Sequence, residues 1–169
     1  VSGAGGSIVN SSGITINSGG TLTIRNTAAA NQSNRIKDSG AVTMSGGALS
    51  FAHTAGAADY SETVGTIALA TGPNTVSASQ AAVGRTSTLT LGGLTRTAGS
   101  VDFVGAGLGT DARNRLFITG QTEGLIGPWA TVNGTSLAAY SSTLGVYPAG
   151  EAAYTDISAK GPSTIPDAA

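Results

Sequence analysis

The chain has 169 residues and a formal net charge of −1, and only 10% of its residues are charged, where about 25% is usual for a soluble domain. That length suffices for one substantial core and does not require a second domain. The near-zero charge and eight scattered Lys and Arg give no field for steering nucleic acid or an anionic membrane, and the lack of cysteine excludes disulfides, thiolate metal sites and cysteine nucleophiles together.

Residues 1–6 are small and flexible in composition. Three short strands follow at 7–10, 14–17 and 21–25, anchored by Ile8, Ile14, Ile16, Leu22 and Ile24, with Ser/Gly corners between them. Glycine at a corner admits positive φ, and neighbouring Ser and Asn can bond turn backbone groups. Residues 26–34 read as a polar loop or a single helical turn, since three alanines cannot sustain an isolated helix. Residues 35–38 resume an extended path with Ile36 inward. Strands at 41–45 and 48–51 then place Val42, Met44, Leu49 and Phe51 on one face and Thr43 and Ser50 on the other, around a Gly46-Gly47 corner.

After a small-residue loop at 52–61, the strand-corner-strand phrase returns at 62–70 and 74–79, with Val64, Ile67, Leu69 and Val76 apolar. It returns again at 87–91, a Gly92-Gly93 corner, 94–96 and 100–104. A loop at 105–114 holds Asp111, Arg113 and Asn114, and a strand at 115–119 leads into the densest aromatic region, with Trp129, Tyr140 and Tyr147. Residues 158–169, with Pro162 and Pro166, read as an extended tail or linker that docks on a neighbouring subunit. The start at Val1, without a charged-then-apolar leader, reads as the mature fragment of a longer secreted precursor, and no apolar run approaches the roughly 20 residues of a membrane helix.

A Gly-Gly corner usually closes a hairpin, but recurrence of the phrase favours a coil wound repeatedly about one axis. Leu22, Val42, Ile67 and Leu89 line up as one apolar series and Leu49, Val76 and Val101 as another. The expected fold is all-β: over residues 1–157, a parallel β-solenoid of short strands with Gly-rich corners, its end covered by the aromatic segment. A sandwich of short antiparallel strands would give similar alternation without a reason for recurring order.

Chemistry is sparse. Asp102, between Val101 and Phe103, points outward, but the positions one coil back, Ser77 or Ser79, are not acids, and general acid-base work on a glycosidic bond needs a carboxylate pair. Asp59 and Glu62 lie near His53, the single histidine, in a loop whose default reading is plain surface. No catalytic residue, cofactor site or metal site is expected. Ligand-binding candidates are Trp129, Tyr140 and Tyr147, whose rings stack on sugars but also pack in cores, and Asp111 with Arg113, which suit a sugar or cation but also a turn closed by an Asp–Arg pair. Asn10, Asn31 and Asn133 stand in Asn-x-Ser/Thr triplets that so Asn- and Ser-rich a chain produces by chance.

The phrases TLTI and TLTL beside Gly-Gly corners, then GLGTDARNRLFITG, then LIGPWATVNGTSLAAYSSTLGVY, resemble the autotransporter-associated β-strand repeat proteins over roughly residues 14–157. The resemblance is densest at 125–147, with Pro128 standing where the family often has glycine. It implies a right-handed parallel β-solenoid in tandem modules of long bacterial surface or extracellular proteins, with no catalytic residues to transfer. The expected function is structural: a secreted module of a surface fibre, filament or adhesin that self-associates or lies in tandem with modules of the same precursor. A carbohydrate-binding adhesive module that engages surface glycans is the alternative, and a polysaccharide-degrading β-helix enzyme the third reading.

Overall fold

The computed structural model describes residues 1–53 and 58–150, and every regular element among them is a strand. Three parallel flanks wind into a β-solenoid of about 4 turns. The first flank carries β1 (Gly13–Asn17), β3 (Ala41–Ser45), β6 (Ile67–Thr71) and β9 (Leu94–Arg96). The second carries β2 (Thr21–Ile24), β4 (Ala48–Ala52), β7 (Pro73–Ser79), β10 (Ser100–Val104) and β13 (Ala130–Val132). The third carries β5 (Tyr60–Val64), β8 (Ser87–Leu91) and β11 (Asn114–Ile118).

Alternation along each strand sends one apolar row inward, and in-register stacking joins those rows into columns along the axis. On the second flank Leu22, Leu49, Val76 and Phe103 stand side by side, each 27 residues after the last. On the first flank the column is Ile14, Val42, Ile67 and Leu94. The series read from sequence mixed these: Val42 and Ile67 are true neighbours, as are Leu49 and Val76, but Leu22 and Leu89 belong to other flanks, and Val101 sits beside Asn74. The expected strand at 62–70 is broken at Gly65 and Thr66 into β5 and β6, which turn onto different flanks. The expected strand at 7–10 is a single parallel bridge from Ile8 to Ile36.

The Gly46-Gly47 corner joins β3 to β4 across flanks, so it is a bend and not a hairpin. Gly46 holds φ at +87°, in the left-handed region that favours glycine. At Gly47 a Cβ would come within 2.4 Å of Ile16 Cγ2 and 2.8 Å of the Asn17 carbonyl oxygen, so the coils stack there only because it lacks one. Asn74, buried on the next coil, ties the corners together. Its Oδ1 accepts from the Gly46 and Gly47 amides at 2.8 and 3.2 Å, and its Nδ2 donates to the carbonyls of Thr71, Gly72 and Ser100.

The aromatic segment closes one end, as expected. Here the pairing turns antiparallel: β14 (Ser136–Ser141) pairs with β13, with β15 (Gly145–Pro148) and with β12 (Gly124–Leu125). An antiparallel strand breaks the parallel winding and lets the chain fold back over the last coil. The tail at 158–169 lies outside the described residues.

Candidate functional site

The outer faces of the solenoid present columns of small uncharged side chains, such as Thr15, Thr43, Ala68 and Thr95 on the first flank. Arg115 and Phe117, outward on β11 of the third flank, depart from that background, and so does a cluster on the second flank. On β10 and β13 the inward residues are Val101, Phe103, Ala130 and Val132, which turns Ser100, Asp102 and Thr131 outward. Parallel register stacks Thr75, Asp102 and Thr131 in one column. Beside it Pro73 pairs with Ser100, and Trp129 precedes β13 in the matching position, its carbonyl accepting from the Val101 amide at 3.0 Å.

These residues line a groove of about 320 Å³. Asp102 is held in it by its own coil neighbours: Oδ1 accepts from the Thr131 hydroxyl and from the Gly134 amide, each at 2.8 Å. Asn133 sets that corner with φ at +51°, its side chain bonded to both the amide and the carbonyl of Gly105. With Oδ1 doubly engaged, the fixed carboxylate keeps Oδ2 unbonded by protein among the described residues. The indole of Trp129 is half-buried and lies flat over Gly127, where a Cβ would meet Nε1 at 2.5 Å. The Arg96 guanidinium sits 5.4 Å from the Trp129 ring centroid, secured by bonds to the Gly99 and Ala98 carbonyls.

The other ligand candidates read from sequence are dispersed. Tyr140 is buried in the cap, its hydroxyl accepting from the Ile118 amide at 3.4 Å. Tyr147 on β15 packs over Gly109. Neither lines the Trp129 groove. Asp111 and Arg113 line a separate hollow of about 250 Å³ with Arg85 and Thr86. Asp111 Oδ1 accepts from the Arg113 backbone amide at 2.8 Å, so the contact is a turn bond where sequence suggested a charge pair. The ion pair among the described residues joins Arg85 to Asp59 at 3.9 Å, between exposed side chains.

No protein-family model, curated protein or solved structure matches this chain.

Sequence reasoning missed a polar cluster inside the first coils. His53 is buried, not surface, stacked on Tyr60 with centroids 4.2 Å apart and edge-on to Phe51 at 4.1 Å. Its Nδ1 accepts from the Asn26 amide at 3.2 Å, which puts the neutral ring's proton on Nε2, where it donates to Ser87 Oγ at 3.1 Å. Burial lowers its pKa from 6.5 to about 4. Glu62 points inward from β5, its Oε1 accepting from the amides of Arg35 and Ile36, both at 2.8 Å. Burial raises it from 4.5 to about 6, although those two amide bonds pull the other way. The fully buried Arg35 fans its guanidinium over Asn26 Oδ1 and the carbonyls of Gly3, Gly6 and Ala30. The available signal was spacing: Asn26, His53 and Gln80 follow one another at 27 residues, the coil length, so a polar column runs inside. Most of these groups bond to backbone or to one another, and no group of three His, Asp or Glu converges on a metal position among the described residues.

Proposed function

We propose that this protein is a structural module of a secreted bacterial surface fibre or adhesin, one length of β-solenoid that assembles with further coils of its own kind, and not an enzyme. The observation that carries this reading is the open first coil. On their outer side β1 and β2 have no strand partner among the described residues, and the one backbone neighbour there is Val1, bonded to Thr23 and Arg25 beside β2. Ile14 and Leu22 are half-buried there, while Val42 and Leu49, next in their columns, are fully buried. A hollow of about 370 Å³ runs between Ile14 and Leu22. Unpaired strand edges with an apolar row beneath them template another strand, and natural monomers usually blunt such edges with charge.

The charge-poor Ser/Thr exterior, the absence of cysteine and the resemblance to autotransporter-associated repeat proteins support an extracellular or cell-surface setting. The lone groove carboxylate argues against glycoside hydrolysis, because that reaction needs two. Sedimentation and negative-stain microscopy test the assembly. The protein is expected to form end-to-end oligomers, and Leu22→Lys, which puts a charge under the open edge, is expected to return it to monomer. A wild-type protein that stays monomeric at all concentrations, or oligomers indifferent to Leu22→Lys, would overturn the reading.

A further inference from the structure

We propose that the Trp129–Asp102 groove is a binding subsite for one pyranose unit of a neutral glycan. The inference is independent of assembly at the open end, because the groove lies on the flank near the capped end.

Recognition of a neutral sugar ring takes two things. An apolar platform must cover the C–H face, and fixed polar groups must meet the equatorial hydroxyls. The groove supplies both from adjacent outward columns of the second flank. Pro73 and Trp129 stand either side of an exposed Ser100 in one outward column and form the apolar part, and the neighbouring Thr75–Asp102–Thr131 column forms the polar part. Its volume stands at the lower end of the ~300–1,000 Å³ of ligand clefts, the size for a monosaccharide unit and not a long chain buried end to end.

Asp102 is the decisive residue. A carboxylate that had to be ordered on binding would lose much of its contribution to entropy, but this one is already fixed through Oδ1 by the Thr131 hydroxyl and the Gly134 amide. Oδ2 is then a preoriented charged acceptor, and hydrogen bonds to charged groups are roughly twice as strong as neutral ones. The Thr131 hydroxyl spends its proton on Asp102 and offers lone pairs, so the polar wall is rich in acceptors and suits a ligand that arrives with several O–H donors. An acidic sugar meets a fixed negative charge instead and is disfavoured. Arg96 is held by two backbone carbonyls, 5.4 Å from the indole centroid, and does not line the groove. The groove contains a single carboxylate among the described residues, so it binds and does not cleave.

The rest of the outer surface explains why one such place matters. The outward columns of Thr, Ser and Ala on the first and second flanks solvate well and grip little, so the aromatic–carboxylate notch concentrates affinity at one point of the second flank. Affinity at one notch is expected near a Kd of about 1 mM, roughly −4 kcal/mol, and useful adhesion then comes from many modules acting together.

The test is an amide and indole NMR titration with soluble cello-, manno-, xylo- and chito-tetraoses, and with tri-galacturonate as the anionic comparison. At least one neutral tetraose is expected to shift the Trp129 indole N–H together with the amides of Ser100, Asp102 and Thr131, saturably, while tri-galacturonate does not. Ser100→Trp fills the exposed position between Pro73 and Trp129 without touching the bonds that hold Asp102, and is expected to abolish the shifts in a folded protein. Asp102→Asn keeps the Oδ1 acceptor and replaces Oδ2 by a donor, and is expected to weaken binding about tenfold, the loss of roughly one charge-assisted hydrogen bond. No response to any neutral tetraose at these residues, an equal response to tri-galacturonate, or shifts that survive Ser100→Trp would each overturn the proposal.

Discussion

His53 and Glu62 are two titratable groups enclosed in one core, and burial moves them in opposite directions. His53 titrates at about 4 in the fold against 6.5 ordinarily, so its contribution is present above pH 6.5 and lost as pH falls towards 4. Glu62 titrates at about 6 against 4.5, so its contribution is present below pH 4.5 and lost as pH rises through 6. With one pKa unit near 1.4 kcal/mol, the two terms are about 3 and about 2 kcal/mol, and between pH 4.5 and 6 they largely cancel. Stability measured by urea unfolding is therefore expected to be nearly flat across that window. Glu62→Gln keeps an oxygen for the Arg35 and Ile36 amides and removes the charge. It is expected to expose the histidine term as a rise in stability of about 1–2 kcal/mol from pH 4.5 to 6. The slope is the test, since an unpaired amide nitrogen in place of the unpartnered Oε2 shifts the whole curve without tilting it. An unchanged slope would show that Glu62 does not titrate in this range. None of this was legible residue by residue, because His and Glu in a Ser/Ala-rich stretch carry the ordinary signature of solvent exposure.

At the scale of the element, strands were legible and corners were not. Alternation in AVTMS, ALSF, STLTL and SVDFV marks strands, and each is one. Yet Gly46-Gly47 and Gly92-Gly93, alike in sequence, occupy different corners: the first joins the first flank to the second, and the other joins the third to the first. Aligning them as equivalent displaced Leu89 from its true neighbours Glu62 and Leu116 and placed it in a first-flank series. The residue that distinguishes a corner is polar, not glycine. Asn74 satisfies two amides and three carbonyls around Gly46, Gly47, Thr71, Gly72 and Ser100, and is 2% exposed. Asn74→Ala removes its bonds to all five groups; the Gly72 carbonyl keeps the Ser100 amide at 3.0 Å, and with buried unpaired groups costing about 1–3 kcal/mol each, offset by relaxation, a net loss of about 3–4 kcal/mol is expected by urea unfolding. Ser77→Ala removes one hydroxyl pair with Ser50 on the outer face and is expected to change stability by less than about 0.5 kcal/mol. Equal losses in the two variants would mean that corner bonding does not hold the coils.

The whole molecule is a stack in which each coil meets only its neighbours, so coils should be removable in units of the period and in no other. Deleting residues 73–99 takes out one 27-residue coil, β7, β8 and β9 together. Gly72 then runs into Ser100, and β10 takes the register of β7 beside β4. Phe103 falls where Val76 was, next to Leu49, and Asp102 falls next to Ala48. On the third flank β11 takes the register of β8 beside β5, with Ile118 next to Val64. The cap is retained, since β13 still pairs with β10 and β15 still packs on β11. Deleting only residues 87–99 removes less of the chain but leaves just residues 80–86 between the parallel strands β7 and β10, where a crossover needs about a dozen or more. The larger deletion is expected to keep a β-strand circular dichroism spectrum and a cooperative thermal transition, lowered because Asn74 and Arg96 are lost. The smaller deletion is expected to lose both. If the smaller deletion folds and the larger does not, the 27-residue coil is not the unit from which this solenoid is built.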